Sequence, residues 1–218
     1  MQIVRSLRAL IFGLATSLGM TAQAAVLYSQ GPVPGGVSID STFSLADDFG
    51  TQNADSYLLP GPSSVTAFRW WGTDAADADR FVVRRFDTLT STAPPALAGT
   101  LTSAPVVGLL DSGGLQIFQY DFALATALAL NGSGFLSVFY DIDPQAAMWY
   151  WIEGTGGDGG SYFRGAELSN WDGPAAPDLA FAVIGEQLLS VPEPSSIALL
   201  AIAAFFSVRT ARRRAARY

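Results

Sequence analysis

An all-β fold, an antiparallel β-sandwich of jelly-roll type with a barrel as the alternative, is what the middle of this sequence predicts. Three observations carry that prediction. Short runs rich in β-branched and aromatic residues recur along the chain. They are bounded by the turn signals "GPVPGG", "PGPSS", "DSGG", "NGSG" and "GTGGDGG". Between the termini the one helix-like stretch is "FALATALAL", and its Thr and the Asn-Gly behind it admit a strand as well.

Taken in order, the expected strands are "FSLADDF" (43–49), "SVTAFRWWG" (64–72), "RFVVRRF" (80–86), "LQIFQYDF" (115–122), "GFLSVFY" (134–140), "MWYWIE" (148–153) and "LAFAVIG" (179–185). Within 115–122, Leu115, Ile117 and Gln119 alternate with Gln116, Phe118 and Tyr120, an imperfect period of two that suits strands covered on both faces. Many short strands without strong helices make a sandwich or barrel rather than an α/β fold. Neighbours on a strand face opposite ways, so Trp149 and Trp151 share a face and Tyr150 takes the other.

The two ends are of a different kind. Met1 to Ala24 carries Arg5 and Arg8, the apolar run Ala9 to Gly19, then Ala22-Gln23-Ala24, a small-x-small cleavage site. This is the pattern of a secretory signal helix, and it places the chain from Ala25 outside the cytoplasm. At the other end Pro192-Glu193-Pro194 precedes the apolar run Ile197 to Val208, and Arg209, Arg212, Arg213, Arg214 and Arg217 follow. That run covers roughly 18 Å as a helix, against about 30 Å of bilayer hydrocarbon. It reads as a short transmembrane helix whose arginines stay cytoplasmic. Both prolines keep the stretch before it extended and open to an enzyme. The plainer alternative is a simple anchor helix with an incidental proline pair. The organisation is thus a signal peptide over 1–24, an extracytoplasmic domain over 25–190 and a C-terminal signal over 191–218.

An exported chain that ends in Val191-Pro192-Glu193-Pro194-Ser195-Ser196, an apolar segment and an arginine cluster resembles the PEP-CTERM sorting-domain proteins. The resemblance covers the last 28 or so residues. It implies an exosortase that recognises and processes the C-terminus, a Gram-negative host that makes extracellular polysaccharide, and Pro192, Glu193 and Pro194 as the sorting motif. It also implies an inner-membrane precursor and a mature form at the cell surface, in an extracellular matrix or biofilm. Signal peptidase and the general secretion machinery are the partners at the N-terminus. A looser resemblance covers Phe43 to Asp87, where "LADDF … VTAFRWWG … DRFVVRRFD" is similar to the N-terminal half of a lectin-like β-sandwich found in many such proteins. Trp70-Trp71 departs from the single aromatic of that pattern, so one ring is expected in the core and the other at the surface.

Composition removes much chemistry from the domain. The chain has no His, no Cys and, since all twelve basic residues are Arg, no Lys. Ser-His-Asp and Cys-His constellations, His or thiolate zinc sites, a Walker lysine and a Schiff base are therefore excluded. From Ala25 to Ser190 five arginines face eighteen acids, an acidic balance that repels nucleic acid. Without cysteine the fold depends on its core.

Three groups of residues are candidates for function. Trp70, Trp71, Trp149, Trp151 and Trp171, with Tyr150, form an aromatic set whose rings would stack on the apolar faces of sugars, the alternative being that they fill the core. Asp74, Asp77 and Asp79 in "GTDAADADRF" bring three carboxylates within six residues and are the candidate calcium ligands, although the loop lacks the Gly and Glu of an EF-hand. The alternative there is a turn in which Asp caps backbone N–H groups. Asp47-Asp48 and the pair Asp141 and Asp143 are further acidic groups. "NGSG" holds a glycosylation sequon at Asn131, but Asn-Gly is also the strongest two-residue hairpin signal, and a hairpin is expected. "GTGGDGG" reads as a flexible surface loop in preference to a ligand cradle. Two functions stay open: a non-catalytic surface or matrix protein that engages polysaccharide, with no cofactor beyond calcium, and a secreted hydrolase that works with carboxylates alone.

Overall fold

The structure is a computed structural model that describes residues 24–175 and 177–188. The signal peptide, apart from Ala24, and the C-terminal segment with Pro192, Glu193 and Pro194 lie outside the described residues. Along the chain run β1 (Ala25–Pro32), β2 (Ser38–Asp40), β3 (Phe43–Ser44), β4 (Phe49–Gly50), β5 (Gln52–Leu58), β6 (Ser63–Gly72), a 3₁₀ turn (Ala78–Arg80), β7 (Phe81–Phe86), β8 (Gly99–Leu110), β9 (Gln116–Leu130), β10 (Ser133–Tyr140), β11 (Tyr150–Ile152), β12 (Gly154–Thr155), β13 (Ser161–Arg164), β14 (Asp172–Ala175) and β15 (Phe181–Gln187). Every pairing between these strands is antiparallel.

In the larger sheet β12, β1, β15 and β6 lie side by side. Beyond β6, β9 pairs along the strand and carries β8 on its far side, while β11 meets β6 at Gly72 and carries β2. The smaller sheet has the order β14, β13, β5, β10, β7. Phe68, Trp70, Tyr120, Phe122, Trp151, Phe181 and Val183 of the first sheet meet Tyr57, Val83, Leu136, Val138 and Tyr140 of the second in one buried cluster. Two inner faces sharing one core make a β-sandwich.

Local sequence explains how each strand serves that core. On β6, Val65 and Phe68 share the inner face although they stand three apart. Thr66 is the extra residue of a β-bulge there, since Ile184 faces Ala67 and Gly185 faces Val65, and the bulge restores the alternation for Phe68 and Trp70. "FALATALAL" is strand: it extends β9 to fifteen residues. Trp149 and Trp151 share the inner face, as their spacing requires, and Tyr150 lies half-buried on the other.

Three expectations are corrected, and one central strand is added. The stretch 43–49 is a miniature ribbon of β3 and β4, because Ser44 and Asp47 join side chains at 2.6 Å and Asp48 takes a φ of 50° in a turn between them. Asn131-Gly132 makes a tight turn, with Gly132 at φ 72°, but β9 and β10 then enter different sheets, so it is a crossover and not a hairpin. Trp71 does face away from Trp70, yet it is only 9% exposed, because Leu109 and Val106 of β8 and Ile117 of β9 pack over it in a second cluster with Ile152. Finally β5, "QNADSYL", is a central strand that no apolar pattern announces: Gln52, Asn53 and Asp55 are all buried.

Candidate functional site

The aromatic set is part of the framework. Trp70, Trp149 and Trp151 are fully buried. Trp70 stacks on Tyr120 at 5.7 Å between centroids, and Trp149 stands edge-on to Phe81 at 4.9 Å. The indole N–H of Trp149 donates to the Thr73 carbonyl at 2.9 Å and that of Trp151 to the Ala180 carbonyl at 2.8 Å. With Trp71 under β8, four of the five candidate rings present no face to a sugar. The fifth, half-buried Trp171, lies 4.7 Å from the Arg164 guanidinium, stands edge-on to Phe86 and donates to the Thr90 carbonyl. Trp171 thus covers a buried charge network: Arg164 donates to Gln52 Oε1 at 3.0 and 2.7 Å and to Glu167 at 3.3 Å, and Glu167 also meets Arg84. Burial lowers the Arg164 pKa, with Glu167 opposing that shift.

Asp74, Asp77 and Asp79 are exposed, and their carboxylates do not converge. Asp77 caps the 3₁₀ turn by accepting from the Asp79 N–H at 3.1 Å and pairs with Arg80 at 3.4 Å. The capping alternative describes this loop, because three acids spaced over one short turn splay toward water instead of facing a common centre.

Among the described residues the carboxylates that do converge are Asp55, Asp158 and Asp178, with one oxygen from each lying within 4.8 Å of the others. Asp55 sits in mid-β5, opposite Leu136 of β10 and Ser161 of β13, and is 0% exposed. Its oxygens accept from the Ser56 N–H at 2.5 Å and the Leu179 N–H at 2.6 Å. Burial is the main cause that pushes its carboxyl up to about 8; the two backbone donors oppose the shift, and Asp178 and Asp158 add to it. Asp178, just before β15, is buried and accepts from the Gly159 N–H at 2.9 Å. Asp158 comes from the glycine-rich loop between β12 and β13 and is exposed; it accepts from Ser56 Oγ at 2.8 Å.

Two residues of β1 close the group. Tyr28 is raised above its ordinary pKa, first by burial, and all three carboxylates contribute. Fully buried Gln30 donates to the Tyr28 hydroxyl at 2.7 Å and to the Ser56 carbonyl at 3.2 Å, and its Oε1 has no hydrogen-bond partner. Gly157 allows the close approach: a Cβ there would run into the Gln30 amide and lie 2.7 Å from the Asp178 carboxyl. Sequence reasoning missed this constellation, whose members are spread from β1 to the approach to β15. The one local signal was an Asp set among five glycines in 154–160, the loop expected to be mere surface.

Among the described residues no helix is long and apolar enough to cross a membrane. Comparison with known families matches residues 190–214 to the PEP-CTERM protein-sorting motif. The match covers the C-terminal signal and none of the sandwich. No curated protein matches the chain.

Proposed function

We propose that this is an exported surface or extracellular-matrix protein. Its N-terminal signal is removed by signal peptidase after passage through the general secretion machinery. Its C-terminal signal holds the precursor in the inner membrane until an exosortase processes it, and a non-catalytic β-sandwich remains outside. The observation that carries this reading is the sorting-motif match at 190–214, which brackets Pro192-Glu193-Pro194, the apolar run and four of the five arginines. An antiparallel sandwich that needs neither disulfide nor basic patch is consistent with life outside the cell.

Polysaccharide contact belongs to the same proposal, but not through the tryptophans. The surface that suits it is a shallow pocket of about 440 Å³, where Phe118, Tyr150 and Met148 lie beside Asp74 and Gln116, rings and hydrogen-bonding groups together.

A carboxylate-only hydrolase is the second reading, and what favours it is the carboxyl of Asp55, pushed up to about 8 chiefly by burial. Against it, Asp55 is fully buried and both of its oxygens are engaged by backbone N–H groups, which leaves none to meet a glycosidic oxygen. Release of reducing sugar from the host polysaccharide would favour this reading over the first.

The sorting proposal is tested with Glu193→Gln, which removes a charge but keeps size, the prolines, the apolar run and the arginines that set insertion. The ratio of precursor to processed protein in the native host should rise for the variant toward that of an exosortase-deficient strain. Equal ratios in wild type, variant and deficient strain would leave a plain anchor.

A further inference from the structure

We propose that the shallow pocket between β9 and β11 binds a polysaccharide whose amino sugars carry free, protonated amines. The inference rests on the polysaccharide reading above and names the class of sugar.

The pocket exists because β6 stops short. Gly72, its last residue, faces Phe118 of β9 on one side and Trp151 of β11 on the other, and beyond it no strand among the described residues separates the two. The gap of about 440 Å³ is lined by Phe118, Tyr150, Met148, Thr73, Asp74 and Gln116. Its floor is fixed. The Thr73 carbonyl accepts from the Trp149 indole N–H at 2.9 Å and from the Tyr120 hydroxyl at 2.6 Å. The Thr73 N–H donates to the Tyr150 carbonyl at 2.9 Å, and its hydroxyl accepts from the Tyr150 N–H at 3.0 Å. Asp74 follows this anchor directly, and the Tyr150 hydroxyl donates to Met148 Sδ at 2.9 Å, which holds the ring in place. A site with little to reorder loses little on binding.

Charge chooses the ligand. Every arginine of the described residues is committed elsewhere: Arg69 to Asp121, Arg80 to Asp77, Arg84 and Arg164 to Glu167, and Arg85 to Asp87. Asp74 therefore meets the pocket as a carboxylate without a cation, and Asp40, directly opposite Tyr150 on β2, sets a second one beside the ring. A cation over a tyrosine or phenylalanine face is attracted by the ring as well as by the acid. A sugar that carries an ammonium group offers both an apolar face to the rings and a charge-assisted hydrogen bond to Asp74. A uronic-acid polymer meets repulsion instead, since eighteen acids stand against five arginines from Ala25 to Ser190. A metal ion is poorly served, because one carboxylate and one amide among the lining side chains fall far short of the roughly six to eight oxygens that calcium takes.

The full chain in detergent is titrated by calorimetry with a glucosamine hexamer, at a pH where its amines are protonated, and with the N-acetylated hexamer, which has the same backbone without the charge. The glucosamine oligomer should bind at least about tenfold more tightly. Asp74→Asn should abolish that preference, and Tyr150→Leu should weaken the glucosamine oligomer at least about fivefold, both with the wild-type circular dichroism. Asp77→Asn removes the same charge from the same loop but outside the pocket, and should bind as wild type does. Equal affinity for the two oligomers would overturn the inference and leave the polysaccharide reading standing. A preference retained in Asp74→Asn would overturn it too, as would an equal loss in Asp77→Asn, which would trace the preference to general attraction by an acidic protein. Failure to bind either oligomer would also overturn it, and retention of the wild type on the host polysaccharide would then show whether the polysaccharide reading survives.

Discussion

Trp149→Ala separates a core tryptophan from a ligand platform. The side chain is 0% exposed and stands edge-on to Phe81 at 4.9 Å and to Tyr120 at 6.0 Å. Each such aromatic pair contributes about 0.5–1.5 kcal/mol beyond burial. The indole N–H bond to Thr73 adds about 1 kcal/mol, but the carbonyl would not be orphaned, because the Tyr120 hydroxyl also donates to it at 2.6 Å. Truncation of a buried Trp costs about 3–5 kcal/mol, and with the carbonyl still satisfied about 4 kcal/mol is expected. That is a large part of the roughly 5–15 kcal/mol by which a domain is stable. At about 2–4 °C per kcal/mol for a chain of this size, the midpoint should fall by about 8–16 °C. Trp149→Phe keeps a ring against Phe81 and should lose less than half as much. Urea unfolding followed by far-UV circular dichroism, with slopes compared, is the assay. A loss below about 1 kcal/mol at an unchanged slope would refute the packing argument.

Arg164→Ala should cost about 3–5 kcal/mol in the same assay, because it strips buried Gln52 and Glu167 of their partner, leaves Arg84 to balance Glu167 alone and removes the cation under Trp171; a change within about 0.5 kcal/mol would mean that the network is solvated. The Asp55 carboxyl, raised from 3.8 to about 8, makes the protein less stable as pH rises. Because folding favours its protonated form, that stabilisation is whole below the unfolded value near 4 and is lost as pH climbs through about 8, on the order of a few kcal/mol. The melting temperature should therefore be lower at pH 9 than at pH 5, and Asp55→Asn should flatten the difference; an equal fall in the variant would assign it to other groups.

The parts of this protein that were legible in sequence are those whose information is local. The two terminal signals are written as linear order, charge and apolar length, which a membrane and a processing enzyme read without any tertiary fold. The strands β6, β7, β10 and β15 were legible because β-branched and aromatic residues crowd into runs bounded by glycine and proline. β5 was not, since a strand buried on both faces by Gln52, Asn53 and Asp55 carries no hydrophobic alternation and owes its place to hydrogen bonds with β10 and β13. Whether a tryptophan is a sugar platform or core was equally outside the sequence: period two put Trp70 and Trp71 on opposite faces, but only the second sheet over the inner face and β8 over the outer one decided that neither is free. The carboxylate cluster shows the same division. Asp74, Asp77 and Asp79 are neighbours in sequence and diverge in space, whereas Asp55, Asp158 and Asp178 are remote in sequence and meet because β5 pairs with β13, and the residues before β15 lie against both. Acids spaced along one turn relax apart into water, whereas a packed sheet and the loops anchored to it hold three carboxyl groups within 4.8 Å.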